Sequence, residues 1–143
     1  MAPEGMVHAL EIIHSLLKPG GVLVDIHPTG DPPRIEVLVG DQPHLAGFLQ
    51  ETDDFIEYTQ ASQALEQAVH RGWFSFQTSQ EFIFKTYAPT PGELFQFLSA
   101  EWKDALLLPE VIEQAEALYK SADAESKIQL IERVRIARYG RLG

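Results

Sequence analysis

The chain of 143 residues contains no cysteine. That excludes a disulfide framework, a thiolate zinc site, an iron–sulfur cluster and a cysteine nucleophile. A chain that needs no disulfide suits a reducing compartment, and a cytoplasmic location is the expectation. No apolar run reaches the roughly 18–20 residues of a membrane-spanning helix, so no membrane partner is expected. The first residues lack a basic stretch ahead of an apolar one, which argues against a secretory signal. Basic residues are scarce, 11 against 21 acidic, giving a net charge of −10. This balance argues against a nucleic-acid partner, because phosphate binding needs neutralising lysine and arginine. No P-loop, no G-x-S-x-G turn, no internal repeat and no low-complexity tract is present.

What remains is the composition of an ordinary globular chain, with 45% hydrophobic and 22% charged residues. The length suits one domain, residues 1–143. The charge is uneven. Residues 127–143 hold Lys127, Arg133, Arg135, Arg138 and Arg141 against Glu132, beside a strongly acidic remainder. A solvated basic face accounts for this, as does a basic end that docks on the acidic surface of a partner or a second copy.

Residues 4–18 read as a helix, with Met6, Val7, Leu10, Ile13 and Leu17 at helical spacing and Ile12 and Leu16 widening the apolar face. Pro19 cannot continue it, and Gly20-Gly21 can take the left-handed turn that ends it. The apolar, β-branched run 21–26 then predicts a strand buried on both faces, in an αβ unit of a mainly parallel sheet. The stretch 27–33 is a loop. Residues 34–39 and 46–50 predict a hairpin about a turn at 40–43, and 53–71 a helix stopped by Gly72. Residues 73–76 and 82–87 read as strands about a polar turn at 77–80. Thr90-Pro91-Gly92-Glu93 opens a helix lined by Leu94, Phe97, Leu98 and Trp102. Pro109 opens another, to about 122, with Val111, Ile112, Ala115 and Leu118 inward. From 127 to 138, Ile128, Leu130, Val134 and Ile136 alternate with polar residues, which predicts a strand in which Glu132 is the misfit; a helix using Ile128, Ile131 and Val134 is the alternative. The fold class is α/β, or α+β taken alone: a mixed sheet of about six strands with about four helices.

The segment from Pro3 to Val24, above all Leu17-Lys18-Pro19-Gly20-Gly21, resembles class I S-adenosylmethionine-dependent methyltransferases. There a proline-containing loop leads into a helix ending L-L-K-P-G-G and an apolar strand follows. The later run Phe82, Phe84, Tyr87, Glu93, Leu94 and Trp102 is similar to one branch of the family, and a long last strand pairs antiparallel into its sheet. The resemblance implies a C-terminal portion of a Rossmann-like fold. The family's cofactor turn, D/E-x-G-x-G-x-G, has no counterpart among the ten glycines. The resemblance therefore implies no S-adenosylmethionine binding by this chain alone, and no catalysis by it alone. It also implies that strand 21–26 lacks neighbours on one side. An uncovered apolar edge invites pairing, so a homodimer through the edge of 21–26 or through helix 4–18 is expected.

Asp25 and His27 stand two apart at a strand end, on one face, where open α/β sheets bind ligands. With Thr29 in the loop beyond, and Tyr87 from an aromatic group (Trp73, Phe74, Phe76, Phe82, Phe84) that would serve either as a pocket wall or as core, they are the candidate substrate-pocket residues. His27 would serve there as a general base or substrate contact. His8 and His14 are six apart and do not stack as metal ligands. The competing functions are an incomplete methyltransferase-like protein, a self-standing homodimeric module binding a small molecule or a partner, and a small enzyme on another fold using Asp25 and His27.

Overall fold

The computed structural model describes residues 3–122 and 125–143. The element order is α1 (Pro3–Leu16), β1 (Val22–Pro28), β2 (Arg34–Val39), β3 (Gln42–Phe48), β4 (Gln50–Glu51), α2 (Ile56–His70), β5 (Phe74–Ala88), α3 (Pro91–Glu101), β6 (Ala105–Leu106), α4 (Pro109–Lys120) and β7 (Ser126–Arg141). Among the described residues this is an α+β fold of four helices and seven strands. The chain forms two compact units from alternating stretches. The first takes the described residues up to Gly30, then Ile56–Phe82 and Val134–Gly143; the second takes Asp31–Phe55 and Ile83–Arg133.

In the first unit α1 ends at the expected place. The Gly21 amide donates to the Lys18 carbonyl at 2.8 Å and Gly20 takes φ 80°. A Cβ at Gly21 would come within 2.8 Å of that carbonyl oxygen, so the turn needs both glycines. β1 then pairs antiparallel with the second half of β7, from Val22 opposite Gly140 to Pro28 opposite Val134. The core joins Val7 and Leu10 of α1, Ala64, Leu65 and Ala68 of α2, Phe74, Ala137 and Tyr139.

Two expectations for β1 are corrected. Its described partner runs antiparallel, and only one of its faces is covered. Strand alternation sends Leu23, Asp25 and His27 toward the helices and Val24 and Ile26 the other way, where they are 53% and 58% exposed. The reason is that α1 and α2 both contribute to the core on one side of the strand. Strands with buried residues on both faces are β2, where Ile35, Glu36 and Val37 are consecutive and buried, and β7, where Ile128, Gln129 and Leu130 are. Glu36 is accommodated there by Arg34 at 3.0 Å and by the Gln129 amide at 2.8 Å.

In the second unit β2 pairs antiparallel with β3 and with the first half of β7, where Val37 faces Ile128. The hairpin turn is shorter than expected: Gln42 and Pro43 already belong to β3, opposite Val39 and Leu38. β4 pairs with β6. Ile35, Val37, Leu49, Ile128 and Leu130 form the core with α3 and α4. Thr90 caps α3 by accepting the Glu93 amide at 3.2 Å, with Pro91 in the first turn, as its sequence predicts. Its buried face uses Phe95 rather than Phe97, which is 49% exposed.

Two further boundaries differ. The helix expected from 53 begins at Ile56, because Asp54 and Phe55 adopt φ 55° and 61°, with the Asp53 carboxylate accepting the Phe55 amide at 3.2 Å. The two strands expected about 77–80 are one strand, β5. Gln77-Thr78-Ser79-Gln80 has no glycine, proline, asparagine or aspartate to fix a turn, and Thr78 favours extended backbone. Of the aromatic row on β5 only Phe74 is buried; Phe76, Phe82, Phe84 and Tyr87 are exposed, so the row is not core.

Candidate functional site

The side chains with the most developed geometry lie in the first unit, at the C-terminal end of β1. Because β1 alternates, Asp25 and His27 project from the same face, and α2 lies over that face. The His27 Nδ1 is 2.5 Å from the Asp25 Oδ2, and its Nε2 is 3.1 Å from the Ser62 Oγ. The side chains are mostly buried, 11% exposed for His27 and 24% for Asp25. Nδ1–H donates to the Asp25 carboxylate, and Nε2 shares a hydrogen bond with the Ser62 hydroxyl, which can donate or accept. Asp25 and Ser62 thus fix the ring's orientation.

Ser62, which sequence reading missed, is 35 residues from His27. The two meet because α2 packs back on the sheet, a long-range contact that no local motif announces. Ser62–His27–Asp25 has the connectivity of an acyl-transfer triad. The resemblance ends there. Ser62 lies within α2, so the backbone amides around it are committed to helix hydrogen bonds. They cannot form the oxyanion-stabilising pair that supplies the largest part of such catalysis. The trio holds an imidazole in place without the oxyanion-stabilising amides of a hydrolase centre.

Beside the trio opens a groove of about 270 Å³. Its walls are Met6, Ala9 and Leu10 of α1 and Ala61, Ala64 and Leu65 of α2, and its floor is Asp25. The small alanines at 9, 61 and 64 leave the space between the helices, and Asp25 is the single charged residue lining it.

Of the other expected pocket residues, Thr29 follows directly on Pro28, the last residue of β1. Tyr87 belongs to the second unit, where the Lys127 ammonium sits 4.8 Å from its ring centroid. Asp25 and His27 are brought together within the first unit. Histidines do not converge on a metal among the described residues. His14 Nε2 instead lies 2.6 Å from the Leu142 carbonyl oxygen. Three carboxylates of the second unit, Glu51, Asp53 and Asp104, do approach within 4.8 Å of one another. They escaped sequence reading because 51 residues separate Asp53 from Asp104, and the short β4–β6 pairing joins them. Burial raises the Glu132 carboxyl above the ordinary 4.5. It lies between the stretch of β7 paired with β2 and the stretch paired with β1.

No family model matches the sequence, and no curated protein matches it. No helix among the described residues is long and apolar enough to cross a membrane.

Proposed function

We propose that this chain is a methyltransferase-like C-terminal portion of a Rossmann-like fold that carries the substrate side of the cleft and no S-adenosylmethionine site of its own. One observation carries the reading: β1, preceded by the Leu17-Lys18-Pro19-Gly20-Gly21 turn, leaves Val24 and Ile26 more than half exposed. Apolar β-branched residues on a strand are an interior pattern, and in an α/β sandwich a second layer covers them. The antiparallel pairing of β1 with the last strand supports the same reading. Asp25 and His27 then stand where such sheets bind substrate. The chain alone is not a catalyst. Its open face is covered by a second copy, and the cysteine-free composition suits the cytoplasm.

The test is titration calorimetry of the purified chain with S-adenosylmethionine, beside sedimentation velocity. The expected result is no measurable cofactor binding and a dimer at micromolar concentration that Val24→Lys with Ile26→Lys makes monomeric. Submicromolar cofactor binding overturns the reading of an absent cofactor half. A wild-type monomer overturns the second copy.

A second reading, a self-standing module that binds a small molecule, is favoured by the groove beside Asp25. The DNA upstream of Met1 separates the two. An in-frame D/E-x-G-x-G-x-G stretch supports the incomplete enzyme, and an in-frame stop close upstream supports the module.

A further inference from the structure

The groove between α1 and α2 has one feature that its apolar walls do not explain. Its floor is a carboxylate. Transferring a carboxylate into apolar surroundings is unfavourable unless hydrogen bonds or an opposite charge compensate it. His27 supplies one hydrogen bond, to Oδ2. That contact engages Oδ2 and leaves Oδ1 of the Asp25 carboxylate for a ligand. Among the described residues, His27 is the one basic group within ion-pair distance of Asp25. Arg135 stands opposite His27 on β7, but its guanidinium is turned to the Tyr139 hydroxyl at 3.4 Å and to the Phe76 ring, and the protein as a whole carries −10.

We infer that this groove binds a small amphipathic amine, its ammonium on the Asp25 carboxylate and its hydrocarbon body between Met6, Leu10, Ala61 and Leu65. Charge complementarity selects the head group. Six apolar side chains select the tail. The volume of about 270 Å³ lies just below the usual range of roughly 300–1,000 Å³ for small-molecule sites, which limits the ligand to a compact one. A carboxylate ligand would meet repulsion from Asp25, and a neutral alcohol would leave its charge unanswered. The inference does not depend on the methyltransferase-like reading, since every residue involved lies in the first unit of this chain.

The test is a methyl-resolved NMR titration of the full chain at neutral pH with hexylammonium chloride, 1-hexanol and sodium hexanoate as probes. Hexylammonium is expected to bind about tenfold or more tighter than 1-hexanol, the ratio a charge-assisted hydrogen bond supplies. Hexanoate is expected not to bind. The shifts should centre on Leu10, Ala61, Ala64 and Leu65. Asp25→Asn, which keeps an acceptor for His27, should abolish the preference for the amine over the alcohol. Ala61→Phe, at a partly exposed position, should fill the groove and remove binding of both while keeping Asp25. Equal affinity for amine and alcohol, shifts centred on another surface, or a preference that survives Asp25→Asn would each overturn the assignment. If Asp25→Asn does not fold, undiminished amine binding by Ala61→Phe overturns it alone.

Discussion

His27 reaches Asp25 on its own strand at 2.5 Å and Ser62 on α2 at 3.1 Å, so one imidazole ties sheet to helix within the first unit. Both of its nitrogens are used, and its side chain is only 11% exposed. Its removal therefore leaves two polar groups without their partner. His27→Ala is expected to cost about 2–4 kcal/mol, from two lost hydrogen bonds with partial desolvation of Asp25. Ser62→Ala should cost about 1 kcal/mol, because one nitrogen alone loses its partner. Urea denaturation of the three proteins checks the order.

Gly47 is the tightest glycine approach in the second unit. A Cβ there would lie 2.6 Å from the Val111 Cγ2 of α4, and its φ is 157°. Gly47→Ala is expected to destabilise by about 1–3 kcal/mol, through overpacking of a filled core. Val111→Ala removes the obstructing methyls, so Gly47→Ala should cost less in that background. A double-mutant cycle with a coupling near zero would contradict the packing account.

Burial raises the Glu132 carboxyl, so the folded state binds a proton more readily than the unfolded state does. The sign follows by linkage. The cost of holding the charged form is fully present above the raised value, and it is relieved as pH falls through that value toward 4.5. Glu132→Gln removes the charge at every pH. The variant should be more stable than the parent at pH 7, and its advantage should shrink steadily on acidification toward pH 4. Paired urea titrations across that interval measure the difference; an advantage that grows on acidification would reverse the sign.

Thr90 supplies the side-chain cap of α3. Thr90→Ala should cost about 1 kcal/mol, and Thr90→Asp close to nothing, because aspartate caps as well. Thermal unfolding of the two variants distinguishes capping from a general effect of the position.

Elements whose signal is local were legible in the sequence. The Thr90–Glu93 cap, the stop after Leu17 and the alternation through Ile128, Leu130 and Val134 each predicted what forms, because cap, turn and strand period are written within a few residues. Burial was less legible. The β-branched run of β1 reads as doubly covered, yet its second face is open, since coverage depends on which helices pack where. The run Phe76, Phe82 and Phe84 has the composition of a core and lies at the surface for the same reason. At the candidate site, Asp25 and His27 share a strand and were legible as a pair. Ser62 and the alanines of the groove were not, because their role arises only when α2 lies against β1.

The pairing of Val22 with Gly140 also dictates when folding can finish. β1 leaves the ribosome more than about a hundred residues ahead of the strand it pairs with. The first half of β7 serves β2 in the same way. β1 therefore waits without its β7 partner while the intervening residues are made, and β2 waits with β3 on one edge alone, a window in which a chaperone would find its substrate.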